Sequence, residues 1–394
     1  MLNNKQKIIA ATLIFAIISL TTGCVVFNSK PSVSLDQSEQ YYPYIQPTFN
    51  QYLAETKTWL MAHRQFINAD HTEELAMNMP FQLFPEQATD KAILLVHGLG
   101  DSPYSFSDLA VTLQSQGFYV QTLLLPGHGS KADDLKLATY ADWQQIVDHY
   151  VELLKQDYKQ VWLGGFSTGA NLVTVNAIDH GGIAGLLLFS PGFESHMPIL
   201  ERLTPLLATV FDGWEGIEDN YVKYNSAPTL AGAAYADSAV VTRDKIDHNN
   251  ITIPTLVVVS EADSVINSEA TEERFHDSFT NPKNQLIWYG DKQQATDNVS
   301  VFPMHLDQYK ISTASHMSPI FAPDNPYYGQ YGEKIICENS FDNQAIEACK
   351  SGAEVWFSAW GYSQADRIYA RLTWNPYYKE LTESIKQITD SITP

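Results

Sequence analysis

The stretch that decides the fold is VWLGGFSTGANLV, at positions 161–173. Its first part, Val161–Gly164, is apolar and predicts a buried strand, and positions 170–173 can begin a helix. Between them, Gly165–Gly169 is a G-x-S-x-G turn, in which the serine is held in a strained conformation with its hydroxyl presented to a cleft. This context predicts Ser167 as a nucleophile. The alternative is a glycine-rich turn with a purely structural role.

Strands and helices alternate on both sides of this turn. A helix with Pro103 in its first turn and apolar residues from Phe106 to Leu113 follows the first strand, and Thr139 and Asp142 can cap a later helix. Such alternation is typical of a mostly parallel, doubly wound α/β sheet. Besides Val161–Gly164, the predicted strands are Ala92–Val96, Tyr119–Leu125, Gly185–Phe189, Thr255–Val259 and Gln285–Trp288.

The composition excludes several classes of protein. Of 394 residues, 44% are hydrophobic and 12% aromatic, so the chain can fill a large core. Acidic residues outnumber basic ones 45 to 24, and the net charge of −21 disfavours nucleic acid as a partner. Three cysteines are too few for a disulfide scaffold, and no Cys/His cluster has zinc spacing. We expect neither a metal nor an organic cofactor.

Two acidic residues follow the strand Thr255–Val259. A serine hydroxyl is a poor nucleophile at neutral pH and needs a base, an orienting acid and an oxyanion hole. Glu261 would lie in register with the strand, whereas Asp263 is past its end, where the loop can turn its carboxylate toward a histidine. We therefore predict Asp263 as the acid.

Three histidines fit the serine–acid–histidine chain order of this fold. His276 falls in a charged helical stretch, and His305 lies in a segment that looks like an insertion. His316 lies on a loop that leads into an apolar segment. A histidine can take the serine proton and return it to the leaving group, because its ordinary pKa is near neutrality. We predict His316 as this base.

The oxyanion hole is predicted from backbone amides. His97–Gly100 follows the first strand, and its flexible backbone can aim the amide of Leu99 at developing negative charge. The second donor would be the amide of Thr168, directly after the nucleophile. His97 itself is interpreted as a structural hydrogen-bonding residue of that turn.

Taken together, the motifs HGLG, LPGHGS, GFSTG, SEADSVI and SHM resemble those of α/β-hydrolases of the serine carboxylesterase and monoacylglycerol-lipase-like group. The resemblance covers roughly residues 91–318 and implies that His128, in the turn Gly127–Gly129, shapes the loop beside the site. It implies the roles of nucleophile, acid, base and two oxyanion donors for the residues already named, which are Ser167, Asp263, His316, Leu99 and Thr168.

The first 23 residues are interpreted as a signal peptide. Lys5 and Lys7 precede the apolar run Ile8–Leu20, which is too short to span a bilayer as a helix. Leu20–Cys24 resembles the bacterial lipobox, which implies cleavage before Cys24 and acylation of that cysteine. The alternative is an ordinary secretory signal with an incidental cysteine.

The expected organisation after cleavage is a polar tether at 24–40 and a hydrolase domain at 41–394. Cleavage would remove two lysines and no acid, which changes the net charge from −21 to −23. Val25 follows the lipidated cysteine, where an aspartate is associated with inner-membrane retention. The resemblance therefore implies a lipid anchor in the outer membrane of a bacterial envelope.

Two segments extend the expected domain. At 194–250, apolar residues recur at helical spacing from Met197 to Trp214, and this segment is interpreted as a lid whose stripe either packs on the core or lines an acyl pocket. At 323–394, an aromatic-rich extension either docks on the core or presents a carbohydrate-facing surface. Cys337 and Cys349 lie in this extension, and in an exported protein we expect them to form a disulfide.

The expected function is hydrolysis of carboxylic esters through an acyl-enzyme, by an exported and lipid-anchored protein. A serine nucleophile excludes the aspartate-dependent dehalogenase and epoxide hydrolase branches. One alternative is a peptidase or amidase, which would need an acidic clamp for an amine, with candidates Glu194, Glu201, Glu215 and Glu218. Another is a non-catalytic envelope lipoprotein that uses the fold as a binding module.

Overall fold

The computed structural model describes residues 42–291 and 295–391, so the predicted signal peptide, Cys24 and the whole predicted tether lie outside the described residues. The described part contains twelve strands. They are β1 (Gln82–Leu83), β2 (Lys91–Val96), β3 (Tyr119–Leu123), β4 (Gln160–Phe166), β5 (Gly185–Phe189), β6 (Gly213–Trp214), β7 (Ala227–Pro228), β8 (Thr255–Ser260), β9 (Gln285–Tyr289), β10 (Val299–Phe302), β11 (Trp356–Ser358) and β12 (Tyr369–Arg371).

Ten α-helices connect or flank these strands in the described residues. They are α1 (Phe49–His63), α2 (Thr72–Asn78), α3 (Ser107–Ser115), α4 (Tyr140–Asp157), α5 (Thr168–His180), α6 (Pro198–Leu207), α7 (Thr229–His248), α8 (Ser268–Ser278), α9 (Asn343–Lys350) and α10 (Tyr378–Asp390). Thr139 and Asp142 form the predicted capping box of α4. Before α3, Pro103–Phe106 forms a separate 3₁₀ turn, and Ser102 donates its hydroxyl to Met77 rather than capping a helix.

The central sheet has eight strands in the order β1-β3-β2-β4-β5-β8-β9-β10. Every pair is parallel except β1 with β3, which is the mostly parallel, doubly wound arrangement predicted. The chain passes from β2 outward to β3 and returns to β4 on the other side of β2. That reversal opens a crevice at the carboxyl ends of β2 and β4, where open α/β sheets bind their ligands.

The central sheet contains two edge strands, β1 and β10, in addition to the six predicted strands. The two-residue β1 is too short to leave a periodic signal, and β10 lies inside the stretch 291–313, which reads from its sequence as an insertion. The predicted strand Tyr119–Leu125 ends at Leu123, because the chain turns there toward the LPGHGS loop.

Alternate side chains of the strands enter two cores, one on each face of the sheet. Leu94 belongs to the core that also contains buried residues of α1, α4, α5, α7 and α8, whereas its neighbours Ile93 and Leu95 belong to the core that contains residues of α3 and α10. Positions 92–96 of β2 and 186–189 of β5 are covered on both faces and are apolar throughout, as the sequence predicts.

The C-terminal extension lies against the second of these cores. Trp374 and Tyr328 are fully buried there, so docking on the core accounts for these aromatics. Strands β11 and β12 form a small parallel sheet of their own. Cys337 and Cys349 form the expected disulfide, with their Cα atoms 5.7 Å apart.

Between β5 and β8 the chain forms α6, the short antiparallel pair β6 and β7, and α7. Helix α7 belongs to the first core, and its Ser238 hydroxyl accepts a hydrogen bond from Asn171 of α5 (3.1 Å). Only residues 194–228 of the predicted lid, which precede α7, are therefore free to cover the site; we call this part the cap. Among the described residues, no helix is both long enough and apolar enough to cross a bilayer.

Candidate active site

Ser167 occupies a strained turn between β4 and α5. Its backbone has φ 54° and ψ −117°, a conformation that residues with a side chain rarely adopt. The flanking glycines permit this turn, because a Cβ at Gly165 would lie 2.4 Å from the Ala170 nitrogen and one at Gly169 would lie 2.0 Å from the Val96 oxygen. The turn holds the serine at the carboxyl end of β4, and only 7% of its surface is exposed.

Asp263 and His316 meet although they are 53 positions apart. The imidazole Nδ1 of His316 donates to Asp263 Oδ2 at 2.7 Å, and the carboxylate is fully buried. The other carboxylate oxygen accepts the amides of Val265 (2.8 Å) and Ile266 (3.0 Å). Because a carboxylate only accepts, the proton stays on Nδ1, and Nε2 is left free to act as a base.

The other candidates for the acid and the base, Glu261, His305 and His276, interact with other residues. Glu261 accepts the indole NH of Trp288 (3.2 Å) and a backbone amide beyond β9. His305 is half exposed and lies 3.3 Å from Asp307, and His276 pairs with a glutamate on its own helix. Among the three candidate histidines, only His316 contacts the predicted acid.

The His316 loop reaches the same rim of the sheet as Ser167. The ring of Phe166, the residue before the nucleophile, lies 5.0 Å from the imidazole, measured between ring centroids. Ser190, just past β5, donates its hydroxyl to the carbonyl of His316 at 2.9 Å. The amide of Ser167 in turn donates to Phe189 at the end of β5 (3.0 Å). These two hydrogen bonds hold the His316 loop and the Ser167 turn at the ends of β4 and β5.

The predicted oxyanion donors lie on two segments beside the nucleophile. A Cβ at Gly98 would lie 3.1 Å from the Ser167 Cβ, so the HGLG turn passes close to the serine only because this residue is glycine. Within residues 42–291 and 295–391, the amides of Leu99 and Thr168 make no hydrogen bond to the protein. Both remain available to a bound oxygen.

Hydrogen bonds of the His97 and His128 side chains fix the conformation of the HGLG turn. His128 Nε2 accepts the amide of Gly100 (3.0 Å), and His97 Nε2 accepts the amide of Leu125 (3.1 Å). His97 Nδ1 then donates to the carbonyl of Gly98 (2.8 Å). Burial lowers the pKa of His97 to about 4 and that of His128 to about 3. Both imidazoles are therefore neutral near pH 7 and structural, as interpreted from the sequence.

Two neighbours of the site have no sequence signal. A Cβ at Gly192 would lie 3.1 Å from the ring of Tyr235 and 3.2 Å from the Ser167 carbonyl carbon, so this tyrosine packs beside Ser167. His196 lies 2.7 Å, through Nε2, from the carbonyl oxygen of Asp263. Both residues come from the segment between β5 and β8, where no motif marks them.

Most of the apolar stripe predicted for the lid does not pack on the core. Its side chains on and after α6 are largely exposed to solvent. The exposed members are Ile199, Leu203, Leu206, Val210, Phe211 and Trp214. Helical spacing predicted one helix from Met197 to Trp214, but α6 ends at Leu207, so only Ile199, Leu203 and Leu206 of the exposed members lie on a helix.

Several known proteins are similar to this chain. Residues 87–247 match a hydrolase family model described as serine aminopeptidase, S33. A thermostable monoacylglycerol lipase from Bacillus sp. (strain H-257) is 27% identical over 179 residues, which are 44% of this chain and 71% of that protein. A carboxylesterase from Bacillus subtilis (strain 168) is 25% identical over 214 residues, or 52% of this chain and 85% of that protein. The solved structure of a metagenome-derived lipolytic enzyme superposes with a TM-score of 0.48 at 20% identity, over 54% of this chain and 87% of that one.

Fold, site and relatives define one class. The chain has the α/β-hydrolase fold and is similar to carboxylesterases and monoacylglycerol lipases. It is a serine hydrolase of the lipase/esterase type.

Proposed function

We propose that the protein is an exported, lipid-anchored carboxylesterase that cleaves esters through an acyl-enzyme on Ser167. The observation that carries the proposal is the 2.7 Å hydrogen bond between His316 and Asp263 at the same rim as the strained serine. The named relatives, a monoacylglycerol lipase and a carboxylesterase, support an ester as the substrate.

The proposed mechanism assigns one task to each group. Ser167 Oγ attacks the ester carbonyl while His316 Nε2 takes its proton, and Asp263 stabilises the imidazolium that forms. The amides of Leu99 and Thr168 donate to the oxyanion of the tetrahedral intermediate. The imidazolium then protonates the departing alcohol. Water, activated by the same Nε2, hydrolyses the acyl-enzyme and restores the serine.

A panel of nitrophenyl esters with increasing acyl length tests this activity directly. The purified protein should hydrolyse the panel, and a fluorophosphonate probe should label Ser167. The Ser167→Ala variant should lose labelling and about 10⁴-fold or more in kcat. Wild-type protein that folds, yet neither labels nor hydrolyses any ester, would instead support the non-catalytic binding role.

An aminopeptidase activity is the second candidate, since the matching family model bears that description. Its substrate amine would need an unpaired carboxylate, but three of the four candidate acids have partners. Glu194 pairs with Arg274 at 3.0 Å, and Glu201 pairs with Arg243 at 2.6 Å. Glu218 accepts two backbone amides in its own loop (2.8 and 2.9 Å). These pairings favour the esterase. Cleavage of amino-acid arylamides at rates that match the esters would reverse this preference.

The anchor rests on the lipobox-like sequence Leu20–Cys24 alone. Cells that express the protein should incorporate radioactive palmitate into it, and Cys24→Ser should abolish incorporation and release the protein from the membrane fraction. A protein that stays in the soluble fraction without label would leave an ordinary secretory signal as the better interpretation.

A further inference from the structure

The loop that carries His316 is held by the C-terminal extension on both sides. Before the histidine, the amide of Phe357 donates to Lys310 (2.7 Å) and the amide of Ser312 donates back to Phe357 (2.9 Å). After it, the amide of Asn375 donates to Phe321 (2.9 Å). The extension thus pairs with the loop through backbone hydrogen bonds on either side of the base.

Three side-chain contacts act even closer to the histidine. Ser312 Oγ lies 3.1 Å from the Tyr369 hydroxyl, and Thr313 Oγ1 accepts the amide of Ala359 (2.9 Å). Ser315, the residue directly before His316, donates its hydroxyl to the carbonyl of Leu372. These bonds come from β11, β12 and the residue after each of them.

On the opposite side, the strand ends hold the same loop. Ser260, the last residue of β8, donates its hydroxyl to the carbonyl of Ser315 at 2.8 Å, and Ser190 donates to His316. The loop is therefore clamped between the sheet and the extension. Removing the extension would leave only the sheet side of this clamp.

A second layer holds β11 and β12 together. Asn339 is fully buried, donates to Ser358 Oγ (3.0 Å) and the Ala359 carbonyl (3.1 Å), and accepts Arg371 Nε (2.9 Å). Asn339 stands two residues after Cys337. The disulfide lies in a small apolar cluster with Ala370 of β12, so it fastens this layer to helix α9.

We propose that the segment 337–372, which contains the Cys337–Cys349 disulfide, is a positioning module for His316, which keeps the imidazole oriented between Asp263 and Ser167. This inference rests on the proposed esterase function for its kinetic consequence. Tyr369 of the module and its partner Ser312 on the His316 loop are positioning residues, as is Ser315, which binds the module at Leu372. A base displaced by about 1 Å loses on the order of 10²-fold in rate, so a loosened module acts on kcat rather than on substrate binding.

A matched pair of tyrosine variants tests the module without removing a ring. Tyr369→Phe removes the hydroxyl that reaches Ser312, whereas Tyr331→Phe changes a tyrosine of the same extension that lies outside the module and is 92% exposed. We expect Tyr369→Phe to lower kcat by about threefold or more with KM within twofold, as befits one lost hydrogen bond. Tyr331→Phe should keep the wild-type kcat.

The double variant Cys337→Ala/Cys349→Ala tests the second layer. Its kcat per fluorophosphonate-titrated site should fall by about tenfold or more, with KM nearly unchanged. Proton NMR gives a readout independent of turnover, since the low-field resonance of the His316 Nδ1–H···Asp263 hydrogen bond should broaden or disappear in this variant while circular dichroism stays native.

The outcomes separate the two hypotheses. If the wild type hydrolyses esters and both the double variant and Tyr369→Phe keep its kcat and its low-field resonance, the positioning role is wrong and the esterase stands. If kcat falls only in proportion to the titrated sites, the module merely stabilises the fold, and the inference is also wrong. A wild type without esterase activity contradicts the proposed function, and the resonance alone then decides whether the module orients His316.

Discussion

At the scale of single residues, the site depends on which polar atoms are already engaged. Asp263 and Glu261 are two positions apart, yet one binds His316 and the other binds Trp288 at the end of β9. The difference arises because the chain turns after Ser260, where the amide of Asp263 donates to the Ser260 carbonyl at 3.1 Å. The turn directs the Asp263 carboxylate to the histidine.

The two acids provide a controlled prediction for activity. Asp263→Asn should lower kcat for a nitrophenyl ester by about 10⁴-fold, because an amide favours the wrong imidazole tautomer and cannot stabilise the imidazolium. Glu261→Gln should stay within about tenfold of wild type, since a glutamine oxygen can still accept the NH groups of Trp288 and Asp291. Equal losses in the two variants, measured at equal folded concentration, would contradict the assignment of the acid.

The two buried histidines predict how stability depends on pH. Burial lowers the pKa of His97 to about 4, so between pH 6.5 and 4 the unfolded chain binds a proton that the folded protein excludes. The free energy of unfolding should therefore fall as pH is lowered through this window, by roughly 3 kcal/mol for His97 alone. His128, with a pKa of about 3, acts in the same direction.

Urea unfolding at pH 7, 5.5 and 4.5 measures this slope. Burial raises the pKa of Asp108 and Asp134, which opposes the trend, but the two histidine shifts are larger. Stability that stays constant or rises as pH falls from 6.5 to 4.5 would exclude buried, neutral imidazoles under the HGLG turn.

At the scale of elements, a buried ion pair joins the cap to the rest of the molecule. Glu201 of α6 and Arg243 of α7 lie 2.6 Å apart with side chains only 3% and 7% exposed. Glu201 also accepts the amide of Ser195 (3.0 Å), and Arg243 donates to the carbonyl of Phe193 (2.6 Å). The start of the cap is thus fastened at the loop after β5, close to Ser167.

Breaking this pair should destabilise the protein strongly. Glu201→Gln leaves Arg243 as an uncompensated buried charge, and we expect a loss of about 3–5 kcal/mol in the free energy of unfolding. Asp179→Asn breaks the ion pair between Asp179 of α5 and Lys245 of α7, whose side chains are 37% and 28% exposed. This change should lower the free energy of unfolding by only about 0–1 kcal/mol. Denaturant titration compares the two variants. A Glu201→Gln cost as small as that of Asp179→Asn would show that the pair does not anchor the cap.

At the scale of the whole molecule, the negative net charge affects how charged substrates approach the site. The chain carries −21, and removal of the predicted signal peptide would make this −23. A field of one sign changes the rate at which charged substrates reach the crevice, and salt screens it over about 8–10 Å at physiological ionic strength.

This charge predicts a salt dependence that differs between substrates. For a nitrophenyl ester with a free carboxylate, kcat/KM should rise by about threefold or more between 20 and 500 mM salt, because screening reduces repulsion. For the neutral ester of the same length, kcat/KM should change little. The ratio of the two values, measured across a salt series, isolates the electrostatic part. A constant ratio would mean that the local field at the crevice is close to neutral.

Much of the fold and part of the site follow from sequence alone. Continuous apolar runs such as Ala92–Val96 predict strands covered on both faces, and the glycines around Ser167 are required by contacts of 2.0–2.4 Å that any side chain would violate. These features are local or periodic. Their physical cause therefore acts within a few residues, where a sequence pattern can record it.

Tertiary structure alone decided the rest. His316 and His305 are equivalent by chain order, and what separates them is the path of a loop held by residues about 45–60 positions further on, such as Phe357, Leu372 and Asn375. The sequence pattern likewise could not predict that the apolar face of α6 is exposed to solvent. Periodicity specifies which side chains share a face but not what covers that face. Contacts between distant segments depend on the whole path of the chain, and no window of the sequence contains them.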